Sequence, residues 1–140
     1  MYHAIVRSRV RALWKRVGTG DYPAAVAMAS RDLHFRFLGD TPLGAELHGR
    51  AEFERWFVQL YARFPGIHME LTDVVVGGWP WRTTVAVKLD ITAPLADRSL
   101  YTNQAVQWVR LRWGTMTHDE VYEDTKALDA ACRIQGAATA

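Results

Sequence analysis

The second half of the chain carries four successive stretches of β-type residues with short turns between them, and this limits the available folds. The stretches are 67–76, 83–92, 101–113 and 116–124. Their connections have turn chemistry: Gly77-Gly78-Trp79-Pro80, then Ala93-Pro94 with Asp97, then Gly114. Strands joined this closely are neighbours, so the four are predicted to form an antiparallel meander. Side chains alternate along a strand. In 101–113, Asn103, Ala105, Gln107, Val109 and Leu111 therefore share one face, and Gln104, Val106, Trp108 and Arg110 share the other. In 116–124, Asp119, Val121 and Glu123 alternate with His118, Glu120, Tyr122 and Asp124. A mainly apolar face with isolated amides and carboxylates suits the wall of a small-molecule pocket.

The first half reads as helices around one strand. Val6, Val10, Leu13, Trp14 and Val17 make a helical stripe over 5–17, broken by Gly18-Thr19-Gly20. Asp21 is a good N-cap, and Pro23 fits the first turn of a helix over 22–28. Residues 33–38 are β-rich, and 39–44 form a turn-rich loop. The clearest helix is 50–64, with Phe53, Trp56, Phe57, Leu60 and Phe64 on one face and Pro65-Gly66 as the stop. Asp124 can cap a last helix over 126–133 that places Leu128, Ala131 and Cys132 on one side, and 134–140 are expected to be a frayed tail. With no repeat and no linker, residues 1–140 are predicted to be a single α+β domain, with helices packed on one side of the sheet.

Composition excludes several classes. The chain is 49% hydrophobic and 23% charged, a globular balance rather than a disordered one. A net charge of +2 gives no strong electrostatic case for a nucleic-acid partner. Arg7, Arg9, Arg11, Lys15 and Arg16 read as the solvated face of the first helix, with a phosphate-binding patch as the alternative. A lone Cys132 excludes an intrachain disulfide and a cysteine-rich metal site. No apolar run reaches the roughly 20 residues that span a bilayer, and the arginine-interrupted N-terminus lacks a signal peptide's core. The expectation is a cytoplasmic protein with no membrane partner. Neither GxxxxGK[ST] nor GxGxxG occurs, and His34, His48, His68 and His118 lack the spacing of a metal triad. No metal and no organic cofactor is predicted.

Four short motifs narrow the fold: Phe35-Arg36-Phe37-Leu38-Gly39, Pro42-Leu43-Gly44, His48-Gly49-Arg50 and Tyr122-Glu123-Asp124-Thr125. With the element order, they resemble the nuclear transport factor 2-like superfamily. Within it they look like the SnoaL-like group, which includes polyketide cyclases and has ketosteroid isomerases and limonene-epoxide hydrolases as wider relatives. The resemblance covers nearly the whole chain. It implies a cystatin-like α+β barrel, a cone-shaped curved antiparallel sheet wrapped around the long helix with a cavity at one end. It also places Asp40 where the isomerases carry their general base. Leu13 and Gln107 then fall where those enzymes hold the oxyanion with a tyrosine and a protonated aspartate. A glutamine amide can still donate to a developing enolate. The catalytic aspartate of the epoxide hydrolases maps near Val121, which Asp119 and Glu123 flank.

Each candidate also has a plainer reading. Asp40 is either a general base or a turn residue holding local backbone. Asn103 and Gln107 either line the pocket or take a core role with local hydrogen bonds, because a buried amide must be paired. Asp119 and Glu123 are either a carboxylate pair of raised pKa or solvated charges on an edge strand. Arg36, alternating with Phe35 and Phe37, faces either solvent or an anionic oxygen in the cavity. Trp56 and Phe57 are core residues that also roof the pocket. Trp79 and Trp81 suggest a lid or a subunit contact, and Trp108 with Val106 suggests an isologous homodimer through the outer sheet face. The resemblance implies a cofactor-free cyclase or isomerase acting on a polyketide-derived or polycyclic ketone. Asp40 would take the proton, Gln107 and Asn103, joined by Arg36, would hold the enolate oxygen, and Glu123 is the alternative base. Trp56, Phe57, Asp119 and Val121 complete the substrate contacts. The alternatives are a non-catalytic ligand-binding or dimerisation scaffold, and epoxide opening by Glu123 or Asp119.

Overall fold

The computed structural model describes residues 1–139. Its elements are α1 (Tyr2–Val17), α2 (Pro23–Met28), β1 (Ala29–Phe37), β2 (Ala45–His48), α3 (Arg50–Arg63), β3 (His68–Trp79), β4 (Arg82–Pro94), β5 (Leu100–Arg112), β6 (Thr115–Glu123) and α4 (Thr125–Thr139). The strands form one curved, unclosed sheet in the order β2-β1-β6-β5-β4-β3. The α+β cone and the antiparallel meander of β3 to β6 are as the sequence predicts. β1 closes onto the meander by pairing parallel with β6, and β2 pairs antiparallel with β1.

Period-two patterning sets the two faces of the sheet. On β4, Thr83, Val85, Val87, Leu89, Ile91 and Ala93 are all buried, and the residues between them are not. Tyr101, Ala105 and Val109 of β5 continue the same face, because Val85 stands opposite Val109 and Leu89 opposite Ala105. Against this face lies the stripe Phe53, Trp56, Phe57 and Leu60 of α3. Phe35 packs between them, with its ring 5.0 Å from Phe53 and 4.9 Å from Trp56. Each such side chain contributes about 1.5–3 kcal/mol by leaving water. Val6, Val10 and Val17 bury one side of α1, while Arg9, Arg11, Lys15 and Arg16 stay exposed.

The turn between β5 and β6 is just Trp113-Gly114, both at positive φ (50° and 80°), the backbone a two-residue primed hairpin turn requires. The exposed rings of Trp79 and Trp81 stack on each other beside Trp113 at this end of the sheet, and none of the three lines the interior cavity.

Four expectations differ from the structure. β6 is not an edge strand. It lies between β1 and β5, and the edges are β2 and β3. β2 itself was not expected, because four residues with Glu46 and His48 exposed carry no apolar signal. α2 has no side-chain cap, and the Asp21 carboxylate instead accepts from Arg16 Nε at 2.7 Å. α4 does not fray after Arg133 but runs to Thr139. Ile134 packs against the core, and Gln135 donates to the Arg63 carbonyl at 2.8 Å and accepts from the Ala96 amide at 2.7 Å. Asp124 does cap α4, accepting from the amides of Lys126 and Ala127 at 3.1 and 3.2 Å. Among the described residues no helix is long and apolar enough to cross a membrane.

Candidate active site

A cavity lies between α3 and the concave sheet face, and its wall is almost wholly apolar. Trp56 and Phe57 come from α3, Phe35 and Phe37 from β1, and Val121 from β6. Four polar side chains enter it: Tyr101, Gln107, Asp119 and Glu123. It offers about 50 Å³ to water-sized groups. A second apolar hollow of about 50 Å³ adjoins it under α1 and α2, and both are bounded by Trp14, Phe57, Gln107 and Asp119.

Asp119 is fixed by its strand. β6 is flanked on both sides, so its inward residues leave water, and Asp119 is 2% exposed. Gln107 stands opposite Val121 on β5 and reaches diagonally to Asp119, its Nε2 donating to Oδ1 at 2.9 Å. Burial pushes the Asp119 carboxyl up to about 7, and the Gln107 hydrogen bond pulls the other way. A carboxyl poised near neutrality in an apolar cavity can both give and take a proton.

Glu123, two inward positions further along, is a second such group. Burial and the neighbouring Asp124 charge push it up to about 7. Its Oε1 is buried without a hydrogen-bond partner, which favours the neutral carboxyl. Tyr101 shares this end of the cavity. Its hydroxyl oxygen accepts from Asn103 Nδ2 at 2.7 Å, so its own proton remains to be donated. Burial, and then the Glu123 charge, raise the phenol above its usual range.

Of the residues expected at a site, Gln107, Asp119, Val121, Glu123, Trp56 and Phe57 are brought together. Three are not. Asp40 is exposed in the loop after β1 and does not line the cavity. Arg36 points to the outer face, because Phe35 and Phe37 on either side point in. It lies 3.8 Å from Glu120. Asn103 spends its amide on the Tyr101 hydroxyl and the Asp124 carbonyl (3.0 Å), and it orients the tyrosine without lining the cavity itself. Most of the apolar lining, and the polar Tyr101, are not singled out by the sequence reading. Tyr101 is in phase with Asn103 and Gln107, so the alternation held the signal. Trp14 lay in the α1 stripe, where nothing distinguished a cavity wall from core. Trp56 also has a structural task, its Nε1 donating to the buried Leu43 carbonyl at 2.8 Å.

The family model for the SnoaL-like domain matches residues 10–118. The chain belongs to the SnoaL-like family. Solved structures similar to this SnoaL-like chain share its fold at low identity. A nuclear transport factor 2-like protein of unknown function from Burkholderia pseudomallei is 18% identical over 90% of this chain and 95% of its own, with a TM-score of 0.72. A protein of Jannaschia sp. CCS1 named for the SnoaL-like polyketide cyclases is 16% identical over 91% of this chain and 90% of its own, at 0.71. TerC, co-crystallised with polyporic acid, is 15% identical over 91% of this chain and 97% of its own, also at 0.71. No curated protein matches the sequence.

Proposed function

We propose that this SnoaL-like protein is a cofactor-free acid–base catalyst acting on a mainly apolar ketone of polyketide or polycyclic type. Asp119, held by Gln107, is the group that takes and returns the proton. Tyr101 and Glu123, at the same cavity, supply hydrogen-bond donors to the oxygen on which charge develops. This moves the chemistry from Asp40, the base the resemblance implies, to the central strand. The observation that carries the reading is a fully buried carboxyl, hydrogen-bonded by Gln107 and facing an apolar cavity, where burial raises its pKa. The names of the Jannaschia and TerC neighbours favour the same ligand class.

A polycyclic molecule needs several hundred Å³, on the order of the 300–1,000 Å³ of ordinary ligand pockets. Binding therefore requires the two hollows to join around Gln107 and Asp119 by movement of Trp14 or Phe57. The ligand would then be apolar at both ends, with its reacting oxygen near the middle. The test is α-proton exchange of polycyclic and polyketide-type ketones in D2O. Asp119→Asn is expected to lose about 100-fold or more of the exchange rate, and Asp40→Asn to keep it. Full exchange by Asp119→Asn, or loss confined to Asp40→Asn, would overturn the assignment.

The small volume favours a second reading, a ligand-binding or dimerisation scaffold without chemistry. Val75, Val106, Trp108 and Tyr122 are all exposed, and the last three share the outer face of β5 and β6. We propose that this face joins two copies in an isologous dimer. If a ketone raises the Tm without exchange, the ligand-binding reading stands in place of catalysis, and if none does either, the dimerisation reading stands.

A further inference from the structure

The β2 edge of the sheet carries a cluster on the outer face, away from the cavity. His34 of β1 and His48 of β2 are register partners, so both rings stand on one face. They lie nearly parallel (7°), with centroids 4.8 Å apart. Glu46, two residues before His48, is on that face too, and its Oε1 is 2.9 Å from His34 Nε2. One donor atom from each residue lies within 4.8 Å of the other two. Among the described residues no other group of three histidine, cysteine or carboxylate side chains converges in this way. The end of β2 is held in place, because the His48 amide donates to the Glu52 carboxylate of α3 at 2.9 Å.

We propose that His34, His48 and Glu46 bind one transition-metal dication, with Zn²⁺ the best match. Two imidazoles and one carboxylate are the donors zinc takes, with solvent completing the tetrahedron. Calcium and magnesium prefer all-oxygen sites, and only one of these donors is oxygen. Zinc bonds of about 2.0–2.1 Å put donors roughly 3.3 Å apart. Binding must close the present spacing of up to 4.8 Å, and the His34 and Glu46 side chains, 31% and 62% exposed, are not locked by burial. Arg36, register partner of Glu46, is an opposing charge on the same face and also lies near Glu120. His118, register partner of His34 on β6 with its ring 6.0 Å away, is the nearest further nitrogen donor. The site lies on the opposite face from Asp119, so it stands or falls independently of the proposed catalysis.

The test is titration of the full-length, untagged protein with Zn²⁺ by calorimetry, paired with the Tm with and without Zn²⁺. The wild type is expected to bind one Zn²⁺ and to gain Tm, because a ligand of the folded state stabilises it. His34→Ala and His48→Ala should each weaken binding by more than about tenfold and abolish the Tm gain, while His68→Ala binds as the wild type does. His48→Gln and Glu46→Gln, conservative changes on an exposed edge, repeat the test in chains whose far-UV spectra match the wild type. Absence of Zn²⁺ binding by the wild type, or binding that survives both histidine changes, would overturn the site.

Discussion

Gln107 and Asp119 meet at 2.9 Å across adjacent strands, and each owes its place to the other's strand. Among the described residues the amide is the one hydrogen-bond donor to a carboxyl that burial holds near neutrality. Gln107→Leu removes the interaction that lowers the Asp119 pKa, so the carboxyl should titrate higher still. For a reaction in which Asp119 acts as base, the rising limb of the pH–rate profile should move to higher pH in Gln107→Leu. A limb that stays in place would mean that another group is being titrated.

Burial of Asp119 and Glu123 also gives stability an unusual pH dependence. Both carboxyls sit near 7 when folded and near about 4 when unfolded. Between those values the folded state holds protons that the unfolded state has lost. Stability contributed by these groups is therefore complete below about pH 4, falls as pH rises through the window, and levels off above about 7. Asp119→Asn removes its share of the slope, so between about pH 5, inside the window, and about pH 8, above it, the variant should gain on the wild type by on the order of a few kcal/mol. Urea unfolding at the two pH values measures this. A wild type that gains stability over the window, with Asp119→Asn following in parallel, would contradict it.

Trp56 joins the cavity to the loop after β1 through its bond to the Leu43 carbonyl. Trp56→Phe keeps most of the ring volume but leaves a buried carbonyl unpaired. The expected loss is about 1–3 kcal/mol in chemical denaturation. Trp56→Ala adds a cavity and should cost about 3–5 kcal/mol.

The proposed dimer has a separate test. Trp108→Glu places a charge on the outer face without touching the cavity. Sedimentation should then show a dimer for the wild type and a monomer for the variant. A wild-type monomer, or a dimer that survives the change, would place the contact elsewhere.

The fold was legible because the helical pattern of α3 and the period-two patterns of β4 and β5 are long, and the phase shifts within β3 and β6 leave each strand recognisable. The inward face holding Gln107, Asp119, Val121 and Glu123 follows from alternation alone. What alternation does not give is which strands flank β6. The parallel β1–β6 pairing is long-range, and it is what converts Asp119 from a solvated edge charge into a buried acid. The Asp40 expectation came from aligned position rather than from any local pattern, and the loop that carries it turns the residue outward. His34 and His48 are 14 residues apart in sequence, and only the short β2 strand brings them face to face. α4 outran its expected end because Gln135 and Ile134 find tertiary partners that no local rule contains.

The most direct test of the central claim is the titration of Asp119 itself, followed by NMR of carboxyl-labelled aspartate and assigned by the signal lost in Asp119→Asn. A midpoint at about 7 is predicted. A midpoint at about 4, the value of an ordinary solvated aspartate, would show that Asp119 is not held as a neutral acid, and the proton-transfer role proposed for it would fail.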